Sequence, residues 1–161
     1  MTGVREAVSG SAVRLVRLSL LALTVISIAA TAFELATVDH WHDFGQLIPW
    51  FALAVLIVAV ALSLFPKGWA PAVARVLVLL VLGASLYGVI DHTLVNFDSG
   101  PLDYRFAETW ETMPATQQWW YAFTKVVGPS PTLAPGVLGL SATLLLLASL
   151  LHSRPSENYS G

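Results

Sequence analysis

Six side chains have the types and spacing for chemistry: His40, His42 and Asp43 precede the second apolar stretch, Asp91 and His92 follow the third, and Glu34 closes the first. Imidazole and carboxylate together suit a transition metal such as zinc, copper(II), manganese or non-haem iron. If 39–43 is helical, Asp39, His42 and Asp43 share a face; if it is extended, His40 and His42 point the same way. Antiparallel packing would bring the six to one depth, with His40, His42, Asp43, Asp91 and His92 as metal ligands and Glu34 behind them. The pattern is not a metal signature of the His-Glu-x-x-His kind. A narrower version is haem b, with His42 and His92 as axial ligands from adjacent helices. His152 alone marks the other end, which argues against a second haem.

A plainer reading explains the same residues. Outer loops between membrane helices are polar, and His and Trp gather at the interface. Asp91 and Glu34 look misplaced at helix C-termini, where the macrodipole disfavours an anion. Neighbouring helix N-termini, Arg105 or loop backbone would offset that. This plainer reading is preferred.

The elements that position these residues are four apolar stretches, 18–33, 47–65, 73–90 and 133–151. With flanks they give spans of about 14–35, 47–65, 71–92 and 131–151, against a hydrocarbon core of roughly 30 Å. Apolar residues make up 56% of the chain and charged residues 11%, far below the roughly 25% of a soluble domain. Arg5, Arg14, Arg17, Lys67, Arg75 and Arg154 fall on one side of the stretches, and only Arg105 and Lys125 on the other. Both termini are therefore expected in the cytoplasm. The outer side carries Glu34, Asp39, Asp43, Asp91, Asp98, Asp103, Glu108 and Glu111, an acidic face that would concentrate cations. No basic patch suggests nucleic acid. There is no cysteine, which excludes disulfide exchange, iron–sulfur clusters, thiolate zinc and c-type haem. Arg14, Arg17, an apolar run and Ala30-Thr31-Ala32 have the parts of a signal peptide. Cleavage after Ala32 would leave three spans; retention is preferred because the basic region is long.

The first helix is expected from near Ser11 and the second from near Pro49, a favoured first-turn residue. The second should stop at Pro66-Lys67-Gly68. In the third, Ala84-x-x-x-Gly88 lets a neighbour approach closely. The outer segment 97–130 reads as a short helix from the Ser99-Gly100-Pro101 turn to about Thr112, then a second from Pro114 to before Gly128. There Trp119, Trp120, Phe123 and Val127 recur at helical spacing as an aromatic cap or interfacial face. Ser130-Pro131 reads as the start of the fourth helix. The six tryptophans, Trp110 included, look like an interfacial belt, and a groove for quinone, lipid or carotenoid is the lesser alternative. The tail 153–161 reads as disordered and cytoplasmic.

The run Asp91-His92-x-x-x-Asn96-x-x-Ser99-Gly100-Pro101-Leu102-Asp103, then Trp119-Trp120, Val127-Gly128-Pro129 and Leu133-Ala134-Pro135-Gly136, resembles uncharacterised small four-helix integral membrane proteins of bacteria. The resemblance covers the C-terminal half. It implies topology and no functional residue, because that group has no assigned activity.

The expected fold is all-α: a polytopic membrane protein with a four-transmembrane-helix bundle forming one membrane domain (1–152) and a helical outer cap between helices three and four. The expected place is the bacterial inner membrane, with 97–130 extracytoplasmic. The expected role is a non-enzymatic accessory or scaffold subunit, whose partners are the lipid bilayer and other membrane subunits or a second copy. The alternatives are a metal- or haem-binding protein and a cation-conducting oligomer.

Overall fold

A computed structural model describes residues 2–65 and 68–151, with side chains from Gly10 onward. The described residues form five α-helices and no strand: α1 (Thr2–Thr37), α2 (Phe44–Ser63), α3 (Ala70–Ser99), α4 (Ala115–Phe123) and α5 (Gly136–Leu151). Short 3-10 turns cover Gly100–Leu102 and Trp110–Thr112. Pro66 and Lys67 of the expected turn, His152, Arg154 and the tail lie outside the described residues.

Three stretches are long and apolar enough to cross a membrane: Gly10–Thr37, Phe44–Ser63 and Ala70–Leu102. The apolar α5 is shorter, about 24 Å at 1.5 Å per residue. Only 22% of each long apolar window is buried, and much of what α2 and α5 bury is small: Ala52 and Ala59, then Ser141, Ala142 and Ala148. Large side chains such as Leu23, Ile26, Phe51, Ile57, Leu86 and Leu147 face outward. In water so large an apolar exterior would drive association. In hydrocarbon it is the solvent-facing surface, and small residues inside let backbones approach.

The chain divides into two compact units. The first, Met1–Leu82 with Leu138–Gly161, has one core fed by four helices. Leu21 and Ile28 come from α1, Leu53 and Leu56 from α2, Val78 and Val81 from α3, and Leu138 and Leu145 from α5. Ser27 and Ser141 share a hydrogen bond of 2.7 Å between α1 and α5. Two arginines close helix ends: Arg17 donates to the Ser63 carbonyl of α2 at 2.6 Å, and Arg75 to the Ser149 carbonyl of α5 at 3.3 Å. Both put a cation where orphan carbonyls and the macrodipole favour one.

The second unit is Gly83–Val137. Here α3 continues past Asp91 to Ser99, so Asp91 lies two turns inside a helix and not at its end. Gly88 does take a close neighbour: a β-carbon there would stand 2.8 Å from Cβ of Pro135. Ser85 donates to the Pro135 carbonyl at 2.8 Å.

Several element boundaries differ from expectation for local reasons. α1 begins at Thr2, well before Ser11, because the polar segment ahead of it holds no proline to stop it. α2 begins at Phe44 and takes Pro49 into its interior, since Asp43 caps the helix earlier. The segment 103–109 forms turns, not the expected short helix. α5 starts at Gly136 and not at Ser130-Pro131. Pro135 has no N–H to give the Pro131 carbonyl, so the chain approaches through tighter turns, with Ala134 bonded to Pro131 and Gly136 to Leu133.

Candidate functional site

The histidine turn between α1 and α2 is built by its own backbone chemistry. α1 ends in a Schellman motif: Asp39 adopts φ 51°, its N–H reaches the Ala36 carbonyl, and the His40 N–H reaches Leu35 at 3.0 Å. The His40 carbonyl then accepts from Nε1 of Trp50 at 2.7 Å. Nδ1 of His42 lies 2.7 Å from the Asp39 carbonyl, which fixes that nitrogen as the protonated one. Asp43 accepts from the Gln46 N–H at 3.0 Å, and Gln46 Oε1 accepts from the His42 N–H at 2.8 Å. This reciprocal pair is a variant of the capping box.

Asp39, His42, Asp43 and Gln46, with the backbone of His40, therefore have structural tasks in that turn. His92 also meets a carbonyl, but across the second unit, its Nδ1 3.0 Å from the Pro131 carbonyl. Glu34 is exposed and Asp91 half-buried. Among the described residues, no three His, Asp or Glu side chains gather in a way that could hold a metal ion. His42 and His92, the expected haem ligands, belong to different units.

The most densely hydrogen-bonded part of the second unit is the segment from Asn96 to Thr132. Its centre is Asn96, fully buried on α3. The Asn96 amide donates to the carbonyls of Ala122 and Ser130 and to Oγ1 of Thr132, at 2.8–3.1 Å. Its oxygen accepts from the Ser130 N–H at 2.8 Å. One side chain thus ties α3, the end of α4 and the approach to α5. Ser130, expected as a helix cap, is instead held at both its N–H and its carbonyl. Gly128 makes room for this knot: its φ is +81°, and a β-carbon would collide with Asn96.

A second anchor is Trp110, 2% exposed. It is core, not interfacial belt. Its ring meets Phe97 edge-on at 5.6 Å and presses so closely on Gly100 that a β-carbon there would overlap the indole. Gln118 donates to the Trp110 carbonyl at 2.6 Å. Ala122 and Val127 complete this small core. Val127 is therefore buried and leaves the expected aromatic face, because α4 ends at Phe123 and the chain turns at Lys125, φ 58°. Trp119, Trp120 and Phe123 stay exposed, with Trp119 stacked on Phe97 at 4.4 Å.

A third clip is ionic. Arg105 grips both carboxylate oxygens of Asp103, at 2.9 and 2.6 Å, and reaches the Val126 carbonyl. The Arg105 side-chain hydrogen bonds, then its amide, hold the Asp103 carboxyl below the ordinary carboxylate range. With the folded-state value depressed, the clip is intact above that range and is lost as pH falls through the lowered value.

Asn96 and Trp110 are the positions that sequence reasoning missed as organisers. Their signals were an amide on an apolar helix and two glycines, Gly100 and Gly128, spaced to receive them. No family model, curated protein or solved structure matches the chain, so its chemistry has to be read from its own residues.

Proposed function

We propose that the protein is a non-enzymatic accessory or scaffold subunit of a larger complex in the bacterial inner membrane. In this reading α1, α2, α3 and α5 are four spans, with α5 lengthened by the turns from Pro131. Both termini are cytoplasmic and the outer segment forms an extracytoplasmic cap. Arg17 and Arg75 at the α2 and α5 C-termini, with Arg14 nearby in sequence, support that orientation.

The observation that carries the proposal is a pair of apolar side chains on a tied-down loop. Leu102 is 85% exposed and Tyr104 91% exposed. The loop between them and beyond is fixed by Trp110 against Gly100 and by Arg105 on Asp103. A loop fixed in advance spends little ordering entropy on binding, and tyrosine is among the residues that most often anchor interfaces. The loop thus has the character of a presented contact surface, suited to another membrane subunit or a second copy.

The test is a photoreactive phenylalanine analogue at Tyr104 in the full chain, irradiated in native membranes. A protein–protein adduct is expected, matched by a larger species on native gels. A chain that runs as a monomer and cross-links only lipid would overturn the proposal.

A further inference from the structure

The lateral edge of the outer segment poses a different question from its tip. Along α3, exposed apolar residues repeat at helical spacing: Val73, Val76, Leu79, Leu86, Ile90 and Leu94. From Val73 to Leu94 the stripe is about 32 Å at 1.5 Å per residue, close to a hydrocarbon core of about 30 Å. Phe97 continues it one turn further, and there the stripe is covered, because Trp119 stacks on Phe97 at 4.4 Å.

From Trp119 the exposed apolar surface passes onto α4, whose Trp120 is 62% exposed and Phe123 41%. The other side of α4 turns inward through Ala122 and Tyr121. The stacked ring therefore lies about 5 Å beyond the end of the lipid-length stripe, within a headgroup layer of roughly 5–8 Å per leaflet. Indole is the side chain that prefers that layer. Leu102 and Tyr104 follow the end of α3 in the chain and belong to a separate exposed pair.

We propose that the Trp119–Trp120–Phe123 edge docks on the headgroup–acyl boundary of the outer leaflet, with Phe97 as the link from the spanning stripe of α3. Its occupant is phospholipid, not a protein partner. The edge sets the height of the cap above the bilayer and leaves the Leu102–Tyr104 loop in water. This inference rests on the membrane reading of the three long helices, and it holds whether or not a partner binds the loop.

The experiment uses the full chain in phosphatidylcholine vesicles containing lipid brominated either on the upper acyl carbons or near the chain ends. Tryptophan fluorescence is compared between the parent and the variant W119F/W120F, which keeps an aromatic ring against Phe97. The expected result is that the double variant loses a large part of the shallow-bromine quenching while quenching by the deep bromines is unchanged. W120F alone, at a ring with no partner to lose, should show a smaller loss of the same kind and guards against misfolding of the double variant.

Loss of acrylamide quenching in place of bromine quenching would put the rings in water and overturn the proposal. Loss of neither would mean that protein or a second copy covers them, which also overturns it. Alkaline carbonate extraction of the same vesicles separates the two levels. A chain that stays with the lipid but fails the quenching test refutes the docked edge alone; a chain that is extracted refutes the membrane reading itself.

Discussion

Asn96 and His42 show how one kind of polar residue serves either fold or chemistry, depending on whether its hydrogen-bonding capacity is already used. The Asn96 amide has two N–H groups facing three acceptors and an oxygen holding the Ser130 N–H, so nothing remains for a ligand. Replacing it by alanine removes the side-chain partner of the Ser130 N–H and carbonyl, while the Ala122 carbonyl keeps the Lys125 N–H and the Thr132 hydroxyl. At about 1–3 kcal/mol per orphaned buried group, partly relieved by relaxation, Asn96→Ala should cost about 3 kcal/mol. The readouts are the thermal midpoint in detergent and faster hydrogen exchange at the Ser130 amide. Asn96→Asp keeps the shape but brings only acceptors against carbonyls, and should be at least as damaging. If the Asp variant matched the parent, the donors would be idle and the knot would not be what holds the segment.

At the scale of elements, both α1 and α4 stop by the same device with an unfavourable residue in its key position. After α4, Val126 bonds back to Tyr121 at 2.8 Å and Lys125 to Ala122, with Lys125 at φ 58°. Glycine takes that conformation without the Cβ penalty. Lys125→Gly should therefore stabilise the second unit by about 0.5–1 kcal/mol, read as a raised unfolding midpoint, whereas Lys125→Ala should give no such gain. Three of the four expected stretches form helices long and apolar enough to span, and they were legible in the sequence because a bilayer imposes a length on any apolar run, whereas α5 is shorter. Pro49 signals the start of α2 five positions late, because the cap that sets it, Asp43 on the Gln46 N–H, reads in the sequence as a candidate ligand. α3 could not be read to its end: hydropathy falls at Asp91, and what carries the helix on to Ser99 is tertiary, namely Asn96 under Ser130 and Phe97 between two tryptophans. The histidine cluster was legible as residues but not as a turn, since ligands and caps are drawn from the same amino acids. Trp110 was misread for the same reason, because a belt and a buried ring look alike until Gly100 is seen beneath one of them.

For the molecule as a whole, the arrangement of charge should decide orientation, and the chain is well suited to a direct reading because it has no cysteine. Arg17 and Arg75 hold the C-terminal carbonyls of α2 and α5, so their charges are tied to helix ends that the fold needs. Arg14 is exposed and contributes charge without such a contact. In the orientation proposed above, with the basic residues on the cytoplasmic side, Gly10 is expected inside and Tyr104 outside. A cysteine fits at either position: a side chain at Gly10 meets nothing within 4 Å, and Tyr104 is already almost fully exposed. In intact cells a membrane-impermeant maleimide should label Tyr104→Cys and leave Gly10→Cys unmodified until lysis. Labelling of Gly10→Cys before lysis would invert the orientation and move the Leu102–Tyr104 loop to the cytoplasmic side, where its partner would then have to be sought. Labelling of both would mean that the chain inserts without a fixed sense, a result argued against by the clustering of Arg5, Arg14, Arg17, Lys67, Arg75 and Arg154 against Arg105 and Lys125.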